Sequence, residues 1–175
     1  MANILILYST TDGHTLEICR HLKQVIERND NHVSLHPIDV ESSVDMRSFD
    51  KIVLGASIRY GRHNKQVYEF IKRKVHILER KPNAFFSVSL VARKPGKSQP
   101  DTNPYFKKFL KQIPWQPRQL AVFAGKLNYP IYSFWDRQII RFIMWMTKGP
   151  TNPETVVDYT DWEQVESFGR QICQM

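Results

Sequence analysis

Short apolar segments alternate along the chain with stretches in which apolar residues recur every three or four positions. The first pattern predicts buried strands and the second predicts amphipathic helices. Five strands are predicted, at residues 3–8, 32–38, 51–57, 83–91 and 119–125. Because helical stretches separate them, we expect a parallel sheet covered on both faces, with strand order 2-1-3-4-5 or that of half a dinucleotide-binding fold. A length of 175 residues suits a single domain, residues 1–175.

Two helix starts carry the spacing of a capping box. In the last helix, Thr160 and Glu163 are placed so that each side chain would bind the backbone amide of the other. Ser133 and Asp136 have the same spacing at the start of an earlier helix. We therefore expect helices to begin at these two positions.

Residues 126–155 do not fit the alternation and are predicted to form an insertion in the last strand–helix unit. At about 100° per residue, Arg137, Arg141 and Lys148 share one side of its helix. Apolar residues gather on the opposite side, namely Trp135, Ile139, Phe142, Ile143 and Met146. A basic amphipathic helix suits a membrane interface, where arginine meets lipid phosphate, but a helix packed on the sheet has the same periodicity. Both interpretations stay open at this point.

The turn after the first strand is rich in hydroxyl groups. It comprises Ser9, Thr10, Thr11, Asp12, Gly13, His14 and Thr15. The helix that follows offers unpaired amides and the positive end of its dipole, which together with the hydroxyl groups favour a phosphate. The turn lacks both the Gly-Lys-Ser/Thr of a P-loop and a G-x-G-x-x-G motif, so we expect a phosphomonoester rather than a triphosphate or a Rossmann-bound dinucleotide. The alternative is a polar helix cap without a ligand.

A hydroxyl-rich loop that follows the first strand and holds a phosphate without a metal resembles that of the flavodoxin family. The resemblance implies FMN as cofactor and an α/β fold, a flavodoxin-like doubly wound five-stranded parallel sheet (order 2-1-3-4-5) with a helical insertion in the last βα unit. Flavodoxin loops commonly end in T-G-N-T, whereas this chain has Asp12-Gly13-His14-Thr15. Asp12 is therefore expected to turn away from the phosphate or to cap the helix.

Two further loops follow strands at the ligand-binding edge of such a sheet. The first contributes Ser57, Ile58, Arg59, Tyr60 and Gly61, and the second contributes Ser89, Leu90, Val91 and Ala92. Tyr60 is expected to stack on the flavin ring. Because the second loop has no aromatic residue at its tip, one face of the ring is expected to be open to a substrate.

Five motifs together resemble the flavodoxin-like, quinone-dependent protoporphyrinogen IX dehydrogenases of bacterial haem synthesis. They are Ser-Thr-Thr-Asp-Gly, Gly-Ala-Ser-Ile-Arg-Tyr-Gly, Leu-Val-Ala-Arg-Lys-Pro, Ala-Gly-Lys-Leu-Asn-Tyr-Pro and Tyr-Thr-Asp-Trp-Glu-Gln-Val. This resemblance implies the six-electron oxidation of protoporphyrinogen IX to protoporphyrin IX, with the electrons passed through FMN to menaquinone or ubiquinone. It also assigns Gly125, Leu127 and Tyr129 to the cofactor site, and it leaves the catalytic residues unknown.

Positive charge is concentrated in the middle of the chain. Within a total net charge of +8, residues 59–148 hold 19 Lys/Arg and 4 Asp/Glu, a net of +15. The two propionates of the substrate are expected to meet the basic residues in or just after the loops, namely Arg59, Arg62, Arg93, Lys94 and Lys97. The alternative is a solvated basic surface without a specific partner.

Several function classes fit the sequence less well. A nucleic-acid module would need exposed aromatic residues among the basic ones, so no nucleic-acid partner is expected. The histidines, Cys19 and Cys173 lack the spacing of ligands, so we expect neither a metal nor a disulfide. The remaining rivals are an electron-carrier flavodoxin, a class that is typically acidic, and an NAD(P)H-quinone reductase.

The expected location follows from the acceptor. The first residues resemble no secretion signal, and no apolar run is long enough to span a membrane. Because a quinone is confined to lipid, the protein is expected as a peripheral protein at the cytoplasmic face of the inner (cell) membrane. Trp135, Arg137, Arg141 and Trp145 of the insertion helix are expected to contact the membrane or the quinone.

Overall fold

The computed structural model describes the backbone of residues 1–175 and every side chain except those of residues 40–42. Its strands are β1 (Asn3–Ser9), β2 (His32–Pro37), β3 (Lys51–Arg59), β4 (Arg62–His63), β5 (Asn83–Ser89), β6 (Gln119–Ala124), β7 (Lys126–Asn128) and β8 (Val156–Asp158). Its α-helices are α1 (His14–Glu27), α2 (Lys65–Arg80), α3 (Pro104–Gln112), α4 (Phe134–Met146) and α5 (Trp162–Gln174). Short 3₁₀ turns include Leu90–Arg93, directly after β5, and Tyr129–Ile131, before α4.

The central sheet has five parallel strands in the order β2-β1-β3-β5-β6. Counted along these strands alone, the order is 2-1-3-4-5, so the predicted flavodoxin-like topology is confirmed. After β1 the chain forms β2 along one edge of β1, and it then crosses over to form β3 along the other edge of β1. The carboxyl ends of β1 and β3 therefore flank the switch point, where such sheets bind ligands.

The sheet separates two hydrophobic cores, because successive side chains of a strand point to opposite faces. Leu5 and Leu7 of β1 pack with α2 and α3 in a core that includes Trp115. Ile4 and Ile6 pack on the other face with α1 and α5. Each of these four β1 side chains is fully buried, which explains why the strand is apolar at consecutive positions.

Several predicted strand boundaries shift by one or two residues. The second strand ends at Pro37 rather than residue 38, and the fourth and fifth predicted strands end at Ser89 and Ala124. Strand β3 runs past Ser57 to Arg59 because it continues into a hairpin with β4. The two residues that turn this hairpin, Tyr60 and Gly61, have φ of 53° and 77°, as a two-residue type I′ turn requires.

The predicted capping box of Thr160 and Glu163 is wrong, although the predicted helix is present. Asp161 is the N-cap of α5, and its carboxylate accepts hydrogen bonds from the amides of Glu163 and Gln164, both at 3.1 Å. The hydroxyl of Thr160 instead donates to the carbonyl of Ala124 at 2.8 Å. The predicted cap at the start of α4 is confirmed, since Ser133 accepts from the amide of Asp136.

The insertion is closed at its base by a small antiparallel ladder. Strand β7 pairs with β8, with Leu127 opposite Val157, so the ordered insertion extends beyond residue 155 to residue 158. It has a hydrophobic core of its own, made of Leu127, Tyr129, Tyr132, Ile140 and Met144. Helix α4 of the insertion has 13 residues, and among the described residues no helix is both long and apolar enough to cross a bilayer.

Candidate functional site

A cavity of about 640 Å³ opens at the carboxyl edge of the sheet, within the ~300–1,000 Å³ range of small-molecule sites. Its walls are the turn after β1, the β3–β4 hairpin, the segment after β5 and one side of α4. The three loops expected to hold a ligand are thus brought together, and the insertion supplies the fourth wall.

The turn after β1 presents unpaired donors to this cavity. Gly13, with a φ of 88°, is the N-cap of α1, and as a glycine it has no side chain to cap the first amides of the helix. The hydroxyl of Thr10 accepts a hydrogen bond from the amide of Gly13 at 2.9 Å, which holds the turn in shape. Thr15 is 1% exposed, and its hydroxyl has no hydrogen-bond partner among the described residues. A buried hydroxyl beside free helix amides is the donor set expected for a phosphate.

Asp12 does not cap α1, and its negative charge is paired with a cation. Its carboxylate accepts a hydrogen bond from the guanidinium of Arg59 in β3, 47 positions away. Burial lowers the pKa of Arg59, but its hydrogen bond to Asp12 and the neighbouring carboxylates raise it overall. The negative charge of Asp12 is thereby neutralised within the turn after β1.

His14 contributes its backbone rather than its ring. The ring is buried, with Nε2 at 2.6 Å from the hydroxyl of Thr160 and Nδ1 at 2.9 Å from the carboxylate of Glu17. Both ring nitrogens are therefore occupied by protein groups. His14 therefore ties the first turn of α1 to the segment just before α5.

Helix α4 is joined to the hairpin at its first turn. The hydroxyl of Tyr60 donates to the carboxylate of Asp136, and Nη1 of Arg59 lies 3.6 Å from the same carboxylate. The guanidinium of Arg59 also lies over the ring of Tyr132, 5.2 Å from its centroid. The hydrogen bonds from Tyr60 and Ser133 hold the pKa of Asp136 below its usual value. Arg59 therefore connects the turn after β1, the β3–β4 hairpin and the insertion.

The segment after β5 supplies a second unpaired hydroxyl. Ser89 is 4% exposed and lines the cavity, and its Oγ has no partner among the side chains and backbone that are described. Its carbonyl accepts from the amide of Gly125 at 3.1 Å, which brings β6 against this wall. Leu90 and Val91 also line the cavity, whereas Ala92 is buried in the core behind it.

Other predicted cofactor residues divide between the cavity and the core. Ser57, Ile58, Gly61, Thr11 and Gly125 line the cavity, whereas Ser9 is buried at the end of β1. Leu127 and Tyr129 were expected at the cofactor but do not line the cavity, and both are fully buried in the core of the insertion. Leu127 points into that core because it alternates with Lys126, which does line the cavity.

The arginines of α4 are half-buried and donate hydrogen bonds to backbone carbonyls of the insertion, and their contact with lipid phosphates stays a prediction. Arg137 donates to the carbonyls of Tyr129 and Tyr132 at 3.2 and 3.3 Å. Arg141 donates to the carbonyl of Thr151 at 2.8 Å. A guanidinium carries several N–H donors, so it can satisfy more than one backbone carbonyl at once. Both arginines therefore hold the insertion together.

The aromatic side of α4 faces outward. Trp135 is 74% exposed, Trp145 is 69% exposed and Phe142 is 57% exposed. Phe134 beside them is 64% exposed. Contiguous apolar surface of this kind on a folded domain usually marks an interaction site.

A basic cluster lies at the other end of α4. Arg93 donates to the carbonyl of Leu90 at 2.9 Å and to the hydroxyl of Thr147 at 3.0 Å, so it ties α4 to the segment after β5. Desolvation lowers the pKa of the Lys94 ammonium, and the charges of Arg93, Lys97 and Lys148 lower it further. Arg93 lines the cavity, and Arg62 is exposed on β4. Arg62, Lys94 and Lys97, which were also expected to meet the substrate, are not among the residues that line the cavity.

Sequence patterns missed part of the cavity wall. These residues are Val88, Tyr105, Lys126, Tyr132, Ile139, Ile140, Ile143, Met144, Met146 and Thr147. The apolar stripe of α4 was a usable signal for Ile139 and Ile143, although it did not say which side faced a ligand. Tyr105 has no local signal, since only the packing of α3 beside Gly61 brings it to the cavity.

Comparison with known proteins agrees with this architecture. Residues 5–154 match the family described as Flavodoxin domain. The protoporphyrinogen IX dehydrogenase (quinone) of Escherichia coli (strain K12) is 42% identical over 171 residues, covering 98% of this chain and 94% of the relative. The protein of the same name from Leishmania major is also 42% identical over 171 residues, covering 97% of this chain and 74% of the relative. Oxidised flavodoxin 2 from Bacillus cereus superposes with a TM-score of 0.56 over 99% of both chains at 18% identity. The chain belongs to the flavodoxin family.

Proposed function

We propose that this protein is an FMN-dependent oxidoreductase that oxidises protoporphyrinogen IX to protoporphyrin IX and passes the electrons to a membrane quinone. The observation that carries the proposal is a cavity in which unpaired hydroxyl groups adjoin an apolar wall contributed by α4. The substrate and the acceptor are those in the names of the two relatives at 42% identity.

FMN suits the donor set of the polar wall. The amides at the start of α1 and the hydroxyl of Thr15 would hold its phosphate, and Ser89 would receive the sugar chain or the ring edge. Tyr60, 47% exposed on the hairpin, would pack against the ring. When bound, FMN supplies the transfer of electron pairs, while the protein positions the reactants and excludes water.

The reaction balances with three quinones. Protoporphyrinogen IX loses six electrons and six protons, and each quinone takes up two of each to become a quinol. Arg93, Lys94, Lys97 and Lys148 are suited to hold the two propionates of the substrate at the end of α4.

Turnover by the purified FMN-loaded protein tests this function. We expect porphyrin fluorescence to appear under anaerobic conditions when quinone is added, with three quinols formed per porphyrin. An arm with NAD(P)H in place of protoporphyrinogen separates the NAD(P)H-quinone reductase, and reduction of protein partners without porphyrin formation would identify an electron carrier. Absence of quinone-dependent porphyrin formation by protein that carries FMN would refute the proposal.

The outer face of α4 is suited to dock on the lipid surface that holds the quinone. Exposed tryptophan and phenylalanine side chains favour the headgroup boundary of a bilayer. The proposed location is therefore the cytoplasmic face of the inner (cell) membrane, where the protein would be peripheral.

Vesicle co-sedimentation tests the docking, using vesicles of phosphatidylcholine and phosphatidylglycerol. Replacement of Trp135 and Trp145 by serine should weaken binding at least ~10-fold, because each removes a large exposed apolar side chain. Val156→Ser is the control, since Val156 is 52% exposed but lies on β8. Charge reversal of Arg137 or Arg141 is unsuitable, because it would disrupt the insertion itself. Equal sedimentation of the tryptophan variant and the wild type would rule out docking through α4.

A further inference from the structure

Two side chains of α4 belong both to the cavity and to the outer surface. Ile139 and Met146 line the cavity, yet they are 45% and 56% exposed. They lie two turns apart on the helix, so the cavity edge between them is about 10 Å long. The cavity therefore opens to the outside along this edge of α4.

The surface on either side of this edge is continuous and apolar. At about 100° per residue, Phe142, Trp135, Met146, Ile139 and Ile143 follow one another around a sector of about 100°. The first two are exposed and Ile143 lines the cavity. No polar side chain of the helix falls within this sector. An apolar molecule could pass from the aromatic face to the cavity without meeting a polar group of α4.

We infer that the edge formed by Ile139, Ile143 and Met146 is the entrance for the quinone, whose ring enters the cavity while its isoprenoid chain stays along the outer face of α4 in the lipid. The inference rests on the proposed function, because it needs a quinone as acceptor. A water-soluble acceptor would not benefit from an apolar entrance that adjoins exposed tryptophan. Protoporphyrinogen, with two carboxylates, matches instead the basic cluster near Arg93.

The test uses the FMN-loaded protein and menadione, a naphthoquinone without an isoprenoid chain, in buffer without lipid. The variants Ile139→Gln and Met146→Gln place an amide at the entrance, and both positions are exposed enough for the fold to tolerate it. Val156→Gln is the matched control, since it makes the same type of change at an exposed apolar residue outside the cavity. Visible absorbance first confirms equal FMN content.

We measure the dissociation constant of menadione for the oxidised protein and, after photoreduction, the anaerobic rate of reoxidation. The entrance variants should bind menadione ~10-fold more weakly, because an amide replaces apolar contact with the ring, whereas the control should differ by less than about twofold. Trp135→Gln distinguishes the transfer of quinone from lipid to the protein from the entry of the quinone ring into the cavity. This variant should slow reoxidation only when a long-chain quinone is supplied in vesicles.

Each other result overturns the inference. Unchanged menadione binding in both entrance variants would place the entrance elsewhere. A rise in KM for protoporphyrinogen alone would assign the edge to the porphyrinogen. If the wild type forms porphyrin with a quinone but the entrance variants behave like the control, only the entrance is refuted. If the wild type neither binds nor reduces any quinone, the proposed function fails as well.

Discussion

The unpaired hydroxyl of Thr15 leads to a prediction in which stability and cofactor affinity change in opposite directions. Thr15 lies in the first turn of α1, is 1% exposed, and has no hydrogen-bond partner among the described residues. Thr15→Val replaces the hydroxyl by a methyl group of similar size, and both residues are β-branched with similar helix propensity. The substitution therefore isolates the hydroxyl.

The two expected magnitudes follow from the burial of this group. An unpaired buried hydroxyl costs about 1–3 kcal/mol, so its removal should raise the unfolding free energy of the FMN-free protein by up to that amount. A hydrogen bond to a charged phosphate contributes about 1.5–3 kcal/mol, so its loss should weaken FMN binding ~10- to 150-fold. With saturating FMN this gain in stability should be offset, because bound ligand then stabilises the wild type more by the free energy that corresponds to its higher affinity.

Urea unfolding of the FMN-free proteins and fluorescence titration with FMN measure the two effects. Thr15→Ser is the control, since it keeps the hydroxyl and loses only the methyl group. It should retain most of the FMN affinity. The reasoning would be refuted if Thr15→Val bound FMN as tightly as the wild type, or if it destabilised the FMN-free protein as much as a core substitution does.

Three further outcomes are expected. Gly55→Ala should lower the unfolding free energy by about 1–3 kcal/mol in urea, because its Cβ would lie 2.1 Å from Cζ of Phe86 and the ring would have to move. Burial lowers the pKa of His63 to about 3 from an ordinary 6.5, so the unfolded state binds the proton between these values. The unfolding free energy should therefore fall by up to ~1.4 kcal/mol per pH unit as the pH drops below 6.5, and His63→Gln should flatten this slope while the exposed His76→Gln keeps it. Asp136→Asn should speed amide hydrogen exchange at the start of α4, since it weakens both contacts to the hairpin; unchanged exchange there would contradict this role.

The fold could be predicted from the sequence because its determinants are local. The apolar runs of β1, β3 and β5 are buried on both faces, and the helices between them repeat apolar residues with helical spacing. Strand order then follows from the short list of sheets that such alternation allows. The position of the turn after β1 was predictable for the same reason, since Ser9 to Thr15 are contiguous and run into the first turn of a helix.

The rest of the site depends on contacts that no local pattern announces. Asp12 and Arg59 are 47 positions apart, and Tyr60 and Asp136 are 76 apart. The spacing of Thr160 and Glu163 satisfies the capping pattern, but the carbonyl of Ala124 takes the Thr160 hydroxyl and leaves the cap to Asp161. A motif states which bonds are possible, and distant partners decide which of them form.

Helix α4 shows that such partners also decide which side of an amphipathic helix is exposed. The sequence alone favours arginine towards water or lipid phosphate and the apolar side towards the core. Here Arg137 and Arg141 satisfy the backbone carbonyls of their own insertion, so much of the aromatic side is left outside. The helix is then fixed at both ends, through Asp136 to the hairpin and through Thr147 to Arg93. The same helix carries the outer aromatic face and one cavity wall, so a movement of the helix moves both surfaces. A change that tilts α4 must therefore alter the exposed aromatic face and access to the cavity together, whereas a change to Trp135 or Phe142, which do not line the cavity, alters the outer face alone.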